Sequence, residues 1–284
     1  MRIALTVLAF IFGSMAYPQV PDALSISLEG DTLHLESGGF MIITGISAAN
    51  YGGSVDEVGT TLHTCGAANL HNPNKNYGSL IDQEGNVYKT IVIGTQEWMA
   101  ENLKTSVYRN GEPIPTLFDG ISWAASVEGA RSYYNEEPSY ACPYGQLYNW
   151  YACVDDRHLC PTGWHVPLDS EWWALITFLD PNADSLNLFP NKAGDMLKSN
   201  AENASLWHTS TTATHNTSGF SGVLGGGRYI DGEFGGFGIQ TLWWSCTEDD
   251  EYSAWMHSVD KNLNSTSRWY QPKNYGLAVR CIRD

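Results

Sequence analysis

Residues 159–179 read LCPTGWHVPLDSEWWALITFL, and the clearest helix pattern of the sequence lies in this stretch. After Pro167, apolar side chains recur with the i, i+3, i+4, i+7 spacing of one helix face, at Trp172, Leu175, Ile176 and Leu179. Asp169 is a suitable N-cap for such a helix. The stretch therefore predicts an amphipathic helix that begins beside Asp169, a short distance after Cys160.

Short strands are predicted on both sides of this helix. Residues 87–93 form a β-branched run, and later runs that predict strands cover 242–247, 254–260 and 277–282. A second short helix is predicted over 191–199, where Ala193, Met196 and Leu197 would be buried. Two helices among mostly antiparallel strands predict an α+β, loop-rich domain over residues 77–284.

The chain between residues 17 and 76 has a different texture. Its apolar residues alternate with polar ones in two runs separated by Gly30 and Asp31, and these apolar residues are Leu24, Ile26, Leu28, Leu33 and Leu35. This pattern predicts a β-strand N-terminal arm followed by a linker. Because an isolated strand pair is marginal in water, the arm should pack on its own domain or on a neighbouring molecule, and both alternatives stay open.

The first sixteen residues have the pattern of a signal peptide. Arg2 supplies the positive start, residues 5–12 are apolar, and Ser14 and Ala16 are small residues suited to a cleavage site. The apolar run is shorter than the roughly 20 residues that span a bilayer. We therefore expect residues 1–16 to be removed, and the mature protein to be secreted, extracellular or on the cell surface.

Composition restricts the partners. The formal net charge is −16 although only 16% of residues are charged, so the surface repels phosphate backbones and nucleic acid is not an expected partner. Beyond the predicted signal peptide, no stretch of the sequence predicts a membrane span. Six cysteines in an exported chain favour three disulfides, for which 15 pairings exist.

Ordered landmarks over roughly residues 77–284 resemble the Fibrobacter succinogenes major paralogous domain. They include EWMAENL at 97–103, GQLYNWYA at 145–152, LCPTGWHVP at 159–167, SGF at 218–220, GGR at 226–228, WWS at 243–245 and VRCIRD at 279–284. Proteins of this family are typically exported by Bacteroidetes and Fibrobacteres. The resemblance implies a C-type-lectin-like domain with two helices and a small twisted antiparallel sheet.

The same resemblance implies a disulfide arrangement. In such folds a cysteine near the helical region often bridges to the final strand, which implies the pair Cys160–Cys281. Cys142–Cys153 and Cys65–Cys246 are then the next pairs expected, and Cys65–Cys246 would tie the arm to the domain.

Tryptophans divide into two predicted groups. Those inside the family landmarks are expected in the core, and they are Trp150, Trp164, Trp172 and Trp243. Trp123, Trp207 and Trp269 lie in polar, loop-like contexts and are predicted to contact a ligand, because exposed aromatic rings stack on sugars or anchor protein interfaces.

Four consecutive carboxylates, Glu248, Asp249, Asp250 and Glu251, suggest one cofactor. Ca²⁺ takes 6 to 8 oxygen ligands, which such a run could supply, whereas most charge runs are solvated loops, and both interpretations stay open. The sequence motifs of α/β-hydrolases, zinc proteases and P-loop enzymes are absent from the sequence.

These patterns predict a secreted, non-enzymatic protein of the cell surface or extracellular matrix that acts in adhesion or assembly. The specific hypothesis is self-association into an oligomer or filament, in which the arm adds a strand to the next subunit. The alternative is a lectin-like module that binds surface glycans, and an enzyme whose site matches no motif is a third hypothesis.

Overall fold

The computed structural model describes residues 70–184, 191–199 and 216–284 in full, and the backbone of three strands within residues 26–42. The chain divides into two compact units, Met1–Gly52 and Gly53–Asp284. The predictions for the signal peptide at residues 1–16, for Leu24, for Cys65 and for Trp207 lie outside the described residues.

The first unit contains a three-stranded antiparallel sheet. Its strands are β1 (Ile26–Glu29), β2 (Thr32–Leu35) and β3 (Phe40–Ile42), in the order β1-β2-β3. Ile26 pairs with Leu35 and Glu29 with Thr32, so that only two residues separate the first two strands. The strands predicted from the alternating pattern are therefore confirmed, and residues 40–42, which lie beyond the two alternating runs, add a third strand.

The second unit combines many short strands with five short helices among its described residues. The strands are β4 (Gly78–Ile81), β5 (Val87–Ile93), β6 (Gln96–Met99), β7 (Arg131–Ser132), β8 (Leu147–Tyr148), β9 (Trp164–His165), β10 (Gly225–Arg228), β11 (Phe234–Phe237), β12 (Gln240–Glu248), β13 (Ser253–Asp260), β14 (Thr266–Pro272) and β15 (Ile282–Arg283). The helices are α1 (Gly120–Ala125), α2 (Ala141–Tyr144), α3 (Trp150–Cys153), α4 (Asp169–Leu179) and α5 (Ala193–Leu197). None of the helices in the described part of the chain is long and apolar enough to cross a membrane.

Two five-stranded sheets form the framework of the second unit. One has the order β4-β5-β6-β15-β9, and the other has the order β11-β10-β12-β13-β14, while β7 and β8 form a separate pair. The last strand of the chain is inserted within the first sheet, where Ile282 pairs with both Trp98 and His165. Helices and largely antiparallel sheets in one unit confirm the predicted α+β class.

The predicted long helix is confirmed as α4, but its start differs from the expectation. Leu168 is the N-cap, and the Glu171 carboxylate accepts a hydrogen bond from the Leu168 N–H at 2.7 Å. Asp169 is the first helical residue, and its side chain is directed at β13 and β14, because a buried histidine and an arginine there bind the carboxylate. The strand predicted over 277–282 is shorter, since β15 begins only at Ile282.

The core is aromatic. The ring of Trp172 on α4 lies 4.8 Å from that of Trp98 and 5.6 Å from that of Trp243, measured between centroids. All four tryptophans that were predicted to be core residues are buried, namely Trp150, Trp164, Trp172 and Trp243. Burying rings of this size is the main stabilising contribution in so loop-rich a domain.

The disulfide predictions have mixed outcomes. Cys160 and Cys281 are bonded, with their Cα atoms 5.9 Å apart, as the resemblance implied. Cys142 is disulfide-bonded, but Cys153 and Cys246 are free thiols, so the predicted pairs Cys142–Cys153 and Cys65–Cys246 are wrong. The physical reason for the two free thiols is the packing of α3 against β12. This packing places the side chains of Cys153 and Cys246 along one shared cavity.

Candidate functional site

An exposed aromatic surface follows the outermost strand of the second sheet. β14 lies at the end of the strand order and pairs through its register with β13 alone among the described strands. Trp269 and Tyr270 are 56% and 57% exposed on this strand, and Tyr252 is exposed in the turn that leads into β13. We call this surface, made of Tyr252, Trp255, Arg268, Trp269 and Tyr270, the aromatic edge.

Arg268 holds one face of the aromatic edge in place. Its guanidinium lies 3.2 Å from the ring centroid of Trp255, and the Tyr270 ring meets Trp255 edge-on at 5.9 Å. The same guanidinium donates two hydrogen bonds of 2.8 Å to the carboxylate of Asp169. A bidentate pair of this kind fixes orientation as well as charge, so this face of the aromatic edge, with Trp255 and Tyr270, is preorganised.

Asp169 also contacts a buried histidine. Its Oδ1 lies 2.9 Å from Nε2 of His257, whose ring stacks on Trp172 with a centroid distance of 5.2 Å. Burial opposes ionisation of Asp169, but the hydrogen bonds from His257 and Arg268 outweigh it and lower its pKa to about 2. Burial lowers the pKa of His257, which favours the neutral imidazole.

These shifts predict acid sensitivity. Because the pKa of Asp169 is depressed on folding, its contribution is complete above the unfolded-state pKa near 4 and is lost as pH falls toward 2. We expect this group to contribute about 1–2 kcal/mol after solvent screening. His257 also makes the protein less stable in acid. Because its pKa is lowered on folding, the unfolded state binds a proton more readily below pH 6.5, and the free energy of unfolding falls as the pH falls.

Urea denaturation between pH 7 and pH 2 measures this effect. Asp169→Asn should flatten the acid limb of the stability profile, whereas Glu128→Gln, at an exposed carboxylate, should leave it unchanged. An acid limb of equal depth in wild type and Asp169→Asn would contradict the assignment.

The three tryptophans predicted to contact a ligand have different outcomes. Trp269 lies on the aromatic edge, in agreement with its predicted exposure, and Trp207 is outside the described residues. Trp123 is only 1% exposed, so its prediction is wrong. The reason is Arg228, which lies 4.4 Å from the Trp123 ring centroid and donates to the carbonyl of Phe118 at 2.8 Å, fixing α1 against the domain.

Three of the four carboxylates considered as a calcium site, those of Glu248, Asp249 and Asp250, bind other groups of the protein. Asp250 Oδ1 accepts hydrogen bonds from the N–H groups of Tyr252 and Ser253, both at 2.8 Å, and Glu248 pairs with Lys273. Across the described ranges, no group of three or more His, Cys, Asp or Glu side chains is arranged to hold a metal ion. Of the two interpretations left open for Glu248, Asp249, Asp250 and Glu251, these contacts favour an acidic loop, in which Asp250 stabilises its own turn, over a calcium site.

A buried serine–histidine–glutamate chain was missed by the sequence reasoning. Ser221 Oγ lies 3.1 Å from Nδ1 of His71, and Nε2 of that histidine lies 3.1 Å from Oε1 of Glu101. No sequence signal could have found it, because His71 and Ser221 are 150 residues apart. The adjoining cavity measures about 10 Å³, which is room for at most one water molecule. The three residues therefore have the composition of a catalytic triad, but a substrate cannot reach the serine.

Comparisons with known proteins give one match. The family model described as the Fibrobacter succinogenes major domain matches residues 91–283, from within β5 to β15. No curated protein and no solved structure matches the chain.

Proposed function

We propose, from the premise that the chain belongs to the Fibrobacter succinogenes major domain family, that it is a secreted, non-enzymatic protein of the cell surface or extracellular matrix. Its role in this proposal is adhesion or assembly, and the aromatic edge together with the strands of the first unit carries it. The signal-peptide pattern of residues 1–16 supports export. The Cys160–Cys281 disulfide is consistent with an oxidising compartment.

The first unit offers strands for pairing. In its order β1-β2-β3, the outer strands β1 and β3 each have one strand neighbour among the described residues. Edge strands present a row of N–H and C=O groups that another chain can pair with. A three-stranded sheet of 3 to 4 residues per strand buries little on its own, so it gains stability by adding to a larger sheet.

β14 is the best acceptor for such a strand. It has 7 residues, whereas the other outer strands of the two five-stranded sheets, β4, β9 and β11, have 4, 2 and 4. Its exposed Trp269 and Tyr270 would supply apolar contact on both faces of an added strand, because consecutive residues point to opposite faces. We infer that the arm of one subunit adds to β14 of the next and produces a fibre.

Assembly of the mature protein tests this proposal. Analytical ultracentrifugation and electron microscopy should show large oligomers or filaments, and Trp269→Lys should raise the concentration needed for assembly at least about tenfold. Phe178→Lys is the matched control, since Phe178 is 59% exposed on α4, away from the edge strand. Leu28→Pro should also block assembly by removing a backbone donor from β1. A monomer at all concentrations would refute strand addition.

A second function is a lectin-like module that binds surface glycans. The specific observation in its favour is the preorganised face of the aromatic edge, where Tyr270 is exposed beside Trp255 and Arg268, while Trp269 is exposed on the opposite face. Aromatic rings held in this way stack on the apolar faces of sugars. The C-type-lectin-like arrangement that the family resemblance implies also belongs to this proposal.

Glycan-array binding separates the two functions. Under the lectin hypothesis Tyr270→Ala should weaken binding at least about tenfold, while Phe178→Ala and Leu28→Pro bind like wild type. Under the assembly hypothesis no glycan on the array binds the protein, and Leu28→Pro reduces particle size more than Phe178→Ala does.

The non-enzymatic part of the proposal is supported by the buried Ser221. Its Oγ also receives a hydrogen bond from Asn216 at 3.0 Å, and the adjoining space of about 10 Å³ is too small for an organic substrate. Ser221→Ala should therefore change stability and leave adhesion or assembly intact. Esterase activity on small chromogenic esters that disappears in Ser221→Ala would contradict this interpretation.

A further inference from the structure

Two free thiols share one cavity at the junction of α3 and β12. The cavity measures about 370 Å³, and both Cys153 and Cys246 line it together with Cys160 of the Cys160–Cys281 disulfide. The indole N–H of Trp150 donates to the carbonyl of Ser245 at 3.0 Å, which ties α3 to β12 directly beside the two cysteines. Burial raises the pKa of Cys153, and the neighbouring Cys246 adds to this effect.

The two thiols differ in access. Cys153 is buried, and its Sγ lies 3.6 Å from the carbonyl of Asn149. Cys246 is partly exposed, and its Sγ lies 3.1 Å from the carbonyl of Val166. Cys246 also sits where the pairing of β12 with β13 changes register, between Trp244 and Glu248. Such irregularities re-aim side chains and occur often beside reactive sites.

We propose that this cavity is a thiol–disulfide exchange site, in which Cys246 attacks a low-molecular-weight disulfide and Cys153 resolves the product. In the first step the Cys246 thiolate forms a mixed disulfide with one sulfur of the reagent and releases the other as a thiolate. In the second step the Cys153 thiolate attacks Cys246, closes the Cys153–Cys246 disulfide and releases the remaining thiolate. Two protein thiols are oxidised, and one small disulfide is reduced to two thiols.

The charge around the cavity selects the reagent. The charged and titratable side chains that face the two thiols are Arg109, Asp155, Asp156, His158, His165 and Glu171. The guanidinium of Arg109 is already bound by the carbonyls of Cys160, Pro161 and Trp164. Arg109 keeps its charge in these bonds and Arg157 pairs with Asp155 at 2.8 Å, but the carboxylates of Asp155, Asp156 and Glu171 outnumber the two guanidinium groups. On a chain of net charge −16, a cationic disulfide should therefore react faster than an anionic one.

The thiol pKa values make the reaction slow at neutral pH. Burial, reinforced by Glu171, raises the pKa of Cys246 to about 11, and burial also raises the pKa of Cys153. Because the thiolate is the nucleophile, the rate should rise about tenfold for each pH unit between pH 7 and pH 9.

To test this, the mature protein is incubated separately with cationic cystamine, neutral hydroxyethyl disulfide and anionic dithiodiglycolate. The products are then analysed by intact-mass spectrometry and by peptide mapping. Wild type should lose two thiols and two hydrogen atoms, with Cys153 and Cys246 linked. Cys153→Ser should stop at a stable adduct on Cys246, and Cys246→Ser should react at least about tenfold more slowly than wild type, because Cys153 is buried. At low ionic strength cystamine should react about tenfold faster than dithiodiglycolate, and salt should narrow that difference.

Several results would overturn the proposal. These are an unreactive wild type whose thiols are free, a Cys246→Ser variant that reacts like wild type, and an adduct that persists in wild type without closure. Thermal melting of both serine variants establishes that they are folded. Mapping also detects the competing reaction, attack on Cys160–Cys281, which would produce a bond between Cys246 and Cys160 and would likewise refute a role for Cys153.

Discussion

Replacing Arg280 by alanine is expected to lower the free energy of unfolding by about 3–5 kcal/mol, the range for a broken buried charge network. Arg280 is fully buried. Its guanidinium donates to Asn102 Oδ1 at 2.9 Å, to the Ser221 carbonyl at 2.9 Å and to the Phe220 carbonyl. It also lies 4.2 Å from the ring centroid of Phe220.

The size of this effect follows from what remains after the substitution. Alanine would leave the carbonyls of Phe220 and Ser221 buried without this donor, whereas Asn102 Oδ1 would keep its hydrogen bond from Trp243 Nε1. The substitution would also open a cavity between the rings of Phe220 and Trp243. Burial lowers the pKa of Arg280 to about 9, which is still above neutral pH, so wild type retains the charge beside Glu101. The buried Glu101 would lose that compensating charge in the variant.

Urea denaturation of Arg280→Ala against Arg283→Ala measures the effect. Arg283 lies three residues later and is 62% exposed in an ion pair with Glu97, so its loss should cost less than about 1 kcal/mol. If Arg280→Ala does not accumulate, Arg280→Lys serves instead, and it should still lose about 2 kcal/mol because an ammonium cannot reproduce the planar fork of donors. Equal midpoints for Arg280→Lys, Arg283→Ala and wild type would contradict the prediction.

Removing the Cys160–Cys281 disulfide is the second large perturbation. The bond closes a segment of 121 residues and connects the turn before β9 to the residue before β15. A cross-link over about 100 residues restricts the unfolded chain by roughly 4–5 kcal/mol in the chain-entropy account. We expect the double variant Cys160→Ala/Cys281→Ala to lose about 2–5 kcal/mol, the range for native disulfides.

Calorimetry of the double variant, with Cys153→Ala as control, checks this value. The control also removes a buried sulfur but leaves both ends of the Cys160–Cys281 bond in place, so it should cost only about 1 kcal/mol. Unfolding of the double variant at the wild-type temperature would show that packing of β15 between β6 and β9 is sufficient without the bond.

Local patterns predicted a large part of the fold. The period of Trp172, Leu175, Ile176 and Leu179 predicts α4, and the β-branched run at 87–93 coincides with β5. These predictions succeed because a helix face or a strand face is encoded by residues close in the chain, which must alternate between core and water. The family resemblance supplied the Cys160–Cys281 pair and the core tryptophans, since both belong to ordered landmarks.

The site was less predictable. Polar neighbours suggested that Trp123 is exposed, but Arg228, more than a hundred residues later, covers it. The run from Glu248 to Glu251 suggested a calcium ligand set, but its carboxylates cap their own turn and pair with Lys273. In both cases the partner that decides the environment of the side chain is either distant in the chain or is the backbone itself. Residue type alone predicts neither kind of contact.

Family membership, the α+β class, the strand-forming arm and the position of the main helix can all be predicted without the structure, because each depends on local periodicity or on an ordered set of landmarks. The three-dimensional arrangement was needed to establish which thiols are free, which tryptophans are exposed and which groups accept the hydrogen bonds of Arg280. The reason is long-range packing. β15 comes from the end of the chain and lies between β6 and β9, and α3 lies against β12, so groups more than ninety residues apart become neighbours.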